Sequence, residues 1–130
     1  MSTRAIIAYP VKDGYITAWQ WDDGYHDNLG IKLEEEFTKE DDVKELISYH
    51  SFSCVVSEQE KNELIKKFSD ILTEKDFIKL SNGMFVHFYM FSGGVVEGGD
   101  DGFFSTIEEM LQCDLNYVYV YNSGKWEVYR

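Results

Sequence analysis

Ten residues, Trp21 to Gly30, read WDDGYHDNLG and gather more chemistry-bearing side chains than any other stretch of the chain. Asp22, Asp23 and Asp27 surround His26. Carboxylates beside an imidazole can hold a divalent ion or pass a proton. Neither chemistry is well supplied here. The calcium-loop pattern D-x-[DN]-x-[DN]-G is absent, and the lysine that a metal nuclease would set beside its carboxylates lies outside the loop. The reading is a surface turn used for binding, with no catalytic residue and no metal ligand. A small metal-dependent hydrolase built on Asp22–Asp27 is the alternative.

Other candidates are weaker. Gly93 to Gly102, GGVVEGGDDG, lacks the G-K-[ST] of a phosphate loop, and its Asp100 and Asp101 would repel phosphate. His87 lies in an apolar run and reads as a core or sheet-face histidine. His50 marks a helix end, where positive charge is favoured. Cys54 and Cys113 have no C-x-x-C neighbour and read as two buried thiols in a reducing compartment. Cys54, in SFSCVV, has no visible base partner.

These groups must be positioned by a chain of 130 residues, one domain's length, spanning 1–130. Aromatics make up 16%, and large rings bury much area for little chain. Alternation in AIIAYPV and YITAWQW predicts a hairpin turned by Lys12-Asp13-Gly14, with Gly14 taking the positive φ and Pro10 marking a strand end. Leu29, Leu33 and Phe37 are spaced for one helix face, and Asn28 is placed to cap that helix. Thr38-Lys39-Glu40-Asp41, Ser57-Glu58-Gln59-Glu60 and Ser105-Thr106-Ile107-Glu108 read as helix starts. Asp76–Leu80 and Met84–Phe91 read as strands around a Ser81-Asn82-Gly83 turn. YVYVY-NSGK-WEVY is a second hairpin. The expected fold is α+β: a single domain with a mostly antiparallel sheet, two hairpins and about four short helices.

The net charge of -12 is concentrated. Residues 22–45 hold ten acids against three lysines, and residues 97–114 hold six acids and no base. Were the two segments to meet, they would form one negative face that repels nucleic acid and steers basic partners. Aromatic rows without interleaved basic residues argue against direct nucleic-acid binding. No apolar run approaches the ~20 residues of a membrane span, and no secretory leader is visible, so a cytoplasmic location in a bacterial host is expected.

The start MSTRAIIA, then Asp13-Gly14, Trp21, Asp23-Gly24-Tyr25 and Leu29-Gly30, with Phe37, the Val43-Lys44-Glu45-Leu46-Ile47 helix and the YVYVY…GKWEVY ending, resembles a family of small uncharacterised phage and prophage proteins. The likeness covers residues 1–50 and, less closely, 115–130. It departs at Asp22-Asp23, where the family pattern has one acid, and at His26, where it has proline. The resemblance implies a phage or mobile-element origin and carries no reaction onto named residues.

The functional expectation is an acidic binding protein without cofactor that inhibits a host nucleic-acid-handling defence enzyme, of anti-CRISPR or anti-restriction type, with DNA mimicry and an allosteric contact as the two routes. Asp22, Asp23, Asp27, Glu34, Glu35, Glu36, Asp41, Asp42, Asp100 and Asp101 would meet the basic surface of the partner. A structural phage protein that oligomerises through Trp19, Trp21 and the tyrosine rows is a further alternative.

Overall fold

The structure, a computed structural model, describes residues 3–88 and 102–130. In chain order its elements are β1 (Ala5–Val11), β2 (Gly14–Gln20), α1 (Ile31–Glu36), α2 (Glu40–Ile47), β3 (Ser51–Phe52), β4 (Cys54–Val56), α3 (Glu58–Lys67), β5 (Phe77–Lys79), β6 (Phe85–His87), α4 (Ile107–Leu111), β7 (Tyr117–Asn122) and β8 (Lys125–Tyr129). Both expected hairpins form. Ser123 and Gly124 turn the second at φ 50° and 90°, the left-handed pair that matches strand twist. In the first hairpin Asp13, not Gly14, takes the positive φ, at 69°. Gly14 is needed for closeness: a Cβ there would stand 2.4 Å from the Phe104 carbonyl oxygen. Phe104 is bound to Tyr15 by two backbone hydrogen bonds of 2.8 and 2.9 Å.

The α+β class holds, but the main sheet is mixed. β7 runs parallel to β1 and β3 parallel to β2, in the order β3-β2-β1-β7-β8. A second sheet, β4-β6-β5, is antiparallel. Pro10 sits in β1 beyond Ala8, where the ladder to β7 has already stopped, so its missing N–H interrupts nothing on that side.

Strand alternation divides the core. Ala5, Ile7, Ala18, Tyr119 and Tyr121 face α1 and α2, which bury Leu33, Phe37, Val43, Leu46 and Ile47. Ile6, Ala8, Trp19, Val118 and Val120 face the other way, under Phe104 and Met110 of α4. The second sheet sends Val55 and Val86 into the first cluster. It turns Cys54, Val56, Phe77 and Phe85 toward α3. Burying each such Leu, Val or Phe is worth about 1.5–3 kcal/mol. Trp19, Tyr119 and Tyr121 are therefore interior rings rather than an oligomer interface. No described helix is long and apolar enough to cross a membrane.

Helix starts differ in detail from the expectations. Leu29 is buried, but it belongs to a single wide π-helical turn, His26–Gly30, that leads into α1, and Asn28 caps nothing. α2 begins at Glu40 without a side-chain cap, because the N-cap position falls on Lys39, one residue after Thr38. Ser57 and Glu60 form the full capping box of α3. At α4 the cap is Thr106, accepting from the Glu109 N–H at 3.2 Å, one residue later than the pattern implied.

Lys32 joins three of these parts. Its Nζ donates to Asn28 Oδ1 (2.7 Å), to the Val55 carbonyl (2.9 Å) and to Glu60 (3.1 Å), linking the π-turn, β4 and α3. Burial acts to raise the Glu60 pKa, but the Ser57 N–H and Lys32 outweigh it and hold the carboxyl below its usual value. A folded-state pKa below the unfolded one contributes stability above the unfolded pKa, lost as pH falls through the folded one. Lys32→Met should lower unfolding free energy by about 2 kcal/mol, since it strands a carbonyl and a carboxylate. It should also flatten the acid limb of the stability–pH curve, read by urea titration at pH 7 and pH 4.

Candidate functional site: an acidic row beside a cleft

The Trp21–Gly30 loop is mostly bound into the fold. Trp21 stacks on Trp19 with ring centroids 5.4 Å apart and donates its indole N–H to Ser51 Oγ at 2.7 Å. The Asp22 N–H donates to the Ser53 carbonyl (2.9 Å), and the Ser53 hydroxyl donates to Asp22 Oδ2 (2.9 Å). The Gly24 carbonyl accepts from Tyr119 Oη at 2.7 Å. Half-buried Asp22 is thus a structural joint as well as a surface charge. Asp23, held at φ 57°, and Asp27 are exposed.

Asp22 and Asp23 line a cleft of ≈ 290 Å³ with Asn28, Lys32, Cys54, Glu60, Glu63 and Lys67. Glu60 and Glu63 belong to α3, and nothing in the local sequence pattern pointed to this meeting. Cys54 stands across the β4–β6 ladder from His87, Sγ to Nδ1 3.9 Å. A base partner therefore exists, contrary to the sequence reading. It does not activate the thiol. Burial, reinforced by Asp23, pushes the Cys54 pKa up to about 12. Burial also lowers the pKa of His87, against the opposing charges of Asp76 and Asp22. His87 is fully buried and stacked on Phe77 at 4.5 Å, the sheet-core histidine expected. His50 is at a helix end as expected, in a left-handed turn at φ 61°, its N–H bound to the Ile47 carbonyl.

The other acids lie elsewhere. Glu34, Glu35 and Glu36 are the last three residues of α1, all exposed, with no basic residue in that turn. Glu40, Asp41 and Asp42 open α2. Glu34 meets His26 at 3.2 Å, and Glu40 meets Lys44 at 3.3 Å and the Tyr9 hydroxyl. Among the described residues, Glu35, Glu36, Asp41 and Asp42 have no ion-pair partner. Three side chains clamp the connection between the two helices: Asn82 Nδ2 donates to the Glu36 carbonyl (2.6 Å), Trp126 Nε1 to that of Phe37 (3.0 Å) and Tyr121 Oη to that of Thr38 (2.7 Å).

Glu34 turns toward β8, beside Lys125 and Trp126, while Lys32 turns toward the cleft. The structure thus brings Asp22 and Asp23 to α3 and leaves Glu34–Asp42 as a separate row. Of the second acidic segment, Glu108 and Glu109 are on α4, across the main sheet from α1 and α2. They do not join that row. Asp100 and Asp101 lie outside the described residues. Among the described residues, no group of three or more His, Cys, Asp or Glu side chains is placed to hold a metal ion. Compared with known proteins, the chain matches no family model, no curated protein and no solved structure.

Two measurements probe this geometry. A thiol-alkylating reagent at pH 8 should modify half-buried Cys113 and leave Cys54 until denaturant is added, since only about one Cys54 in ten thousand is then a thiolate. Equal native rates would contradict the buried, protonated thiol. Trp126→Phe keeps the ring but removes the clamp on Phe37. It should cost about 1–2 kcal/mol in a thermal or urea melt.

Proposed function

We propose that the chain is a non-enzymatic phage or mobile-element protein that inhibits a host nucleic-acid-handling defence enzyme, of the CRISPR or restriction type. It acts in the host cytoplasm by occupying the basic nucleic-acid channel of its target. The observation that carries this reading is the row Glu34, Glu35, Glu36, Asp41 and Asp42. Acids at a helix C-terminus oppose the helix dipole and cost stability. Three stand in succession there, with no lysine or arginine in that turn, and among the described residues only the Glu34 carboxylate has a partner within the fold, His26. A local rule broken on a rigid surface is where function is expected.

In this reading the exposed carboxylates take the places of phosphates along the channel. Asp22, Asp23 and Asp27 extend the contact toward the cleft. Electrostatic complementarity of this kind speeds encounter and fixes register. The resemblance of the N-terminal and C-terminal segments to phage proteins supports the phage or mobile-element origin in this reading.

The test is capture from bacterial lysate at low and high salt, followed by a DNA-cleavage assay on whatever nuclease is retained. Wild-type protein should retain a nuclease at low salt, release it at high salt and block its cleavage. The triple variant Glu35→Lys/Glu36→Lys/Asp41→Lys should bind at least about tenfold more weakly. Retention that ignores both salt and the triple variant would sink the channel reading. Full cleavage by the retained nuclease in the presence of the protein would remove inhibition.

A further inference from the structure

The two edges of the main sheet differ. The β2 edge is covered, by β3 at Trp19 and Gln20 and by Phe104 at Tyr15. The β8 edge has no strand beside it among the described residues. The two-residue turn makes Asn122–Lys125 the first hydrogen-bonded pair of that hairpin. Alternation then directs the N–H and C=O groups of Trp126, Val128 and Arg130 away from β7. The edge carries neither proline nor bulge, two devices that blunt such templates. Val128, in mid-edge, is 38% exposed although it lies opposite fully buried Tyr119.

We propose that β8 is the interface with a second copy of this chain. The two β8 strands pair antiparallel about a two-fold axis at Val128, joining the five-stranded sheets into one. Val128 meets its own counterpart at the axis, and an isologous contact of this kind closes at two copies. Trp126 faces Arg130 of the second copy, on the side of the sheet that α1 covers. There Glu34, Gly124, Lys125 and Trp126 line a groove of ≈ 370 Å³. Arg130 of the second copy enters this groove, over the indole face and beside the Glu34 carboxylate. Symmetry makes the same contact twice.

This complementarity selects the register. Centring the pair on Glu127 sets that carboxylate opposite itself, and like charges directly opposite destabilise a strand pair. Centring on Trp126 brings Val128 against the turn residue Gly124 and shortens the ladder. In the chosen register Glu127 faces Tyr129 of the second copy, the same carboxylate–hydroxyl pairing already made within one chain at 3.1 Å. The opposing term is repulsion between two chains of charge -12, a long-range term that salt screens.

Sedimentation velocity of the purified chain, over a concentration series at moderate and high salt, reads this directly. The wild type should show a reversible monomer–dimer equilibrium. Val128→Pro removes an N–H that points away from β7, so the hairpin keeps its own ladder while two bonds across the axis are lost. The dimer dissociation constant should rise at least about tenfold. Glu34→Arg and Arg130→Glu should each weaken the dimer about threefold or more, and the double exchange should restore it. Circular-dichroism melts check that each variant is folded. A monomer at every concentration overturns the proposal. So does a dimer indifferent to Val128→Pro, or single exchanges that the double variant does not rescue. The readout contains no host protein, so its failure leaves the proposed inhibition standing, and failure of lysate capture leaves the dimer standing.

Discussion

Three consecutive carbonyls at the end of α1 decide where the acidic surface stands. A helix leaves its last carbonyls without partners, and a six-residue helix has little else to hold its end. Here Asn82, Trp126 and Tyr121 supply the missing donors to Glu36, Phe37 and Thr38. The donors come from the turn before β6, from β8 and from β7, so both sheets converge on one short connection. The clamp fixes the junction between α1 and α2, and with it the row from Glu34 to Asp42. It also sets Trp126 at the open edge of the sheet, beside Glu34.

Ser53 does for the two sheets what the clamp does for the helices. It lies between β3 in one sheet and β4 in the other. It is fully buried, its N–H donates to the His87 carbonyl (2.8 Å), and its carbonyl and hydroxyl both engage Asp22. The chain can change sheets there because every polar atom of the crossing residue has a partner, as burial demands. One consequence is that the cleft beside Asp22 is a product of the crossing. Its floor is β4 and its wall is α3, and Lys32 ties both to the π-turn.

Where local pattern and physical cause coincide, the fold was legible in the residues. The spacing of Leu29, Leu33 and Phe37 marked the buried face of the first helical segment. Ser57 and Glu60 marked a helix start, and Asn122-Ser123-Gly124 marked a turn. Parallel neighbours were not legible. β1 meets β7 and β2 meets β3 through long connections, and no local period records such a pairing. SFSCVV hid two short strands because its break, at Ser53, is made by tertiary hydrogen bonds. The same limit hid the Cys54–His87 pairing and the meeting of Asp22 and Asp23 with Glu60 and Glu63. Acid content was plain from composition, yet its division between α1–α2 and α4 depended on which face of the sheet each helix covers.

The sign of the surface follows from how the fold uses its cations. Lys32 is drawn in to hold the cleft together. Lys61, 7% exposed, is drawn in over the Phe85 ring and bonds Glu74 at 2.7 Å. Arg4 is spent on Asp114 and the Trp21 face, and Lys44 on Glu40 and the Tyr9 face. Each of these charges neutralises an acid at a joint. The acids they leave behind, Glu35, Glu36 and Asp41 above all, then stand against solvent with no internal counter-charge among the described residues. Exposed carboxylates stay ionised at little cost in water, while a buried lysine needs a partner. A chain that commits basic side chains to its joints while keeping twice as many acids, 24 against 12, must therefore show its excess negative charge on the outside. It does so most densely where the carbonyl clamp holds the backbone still.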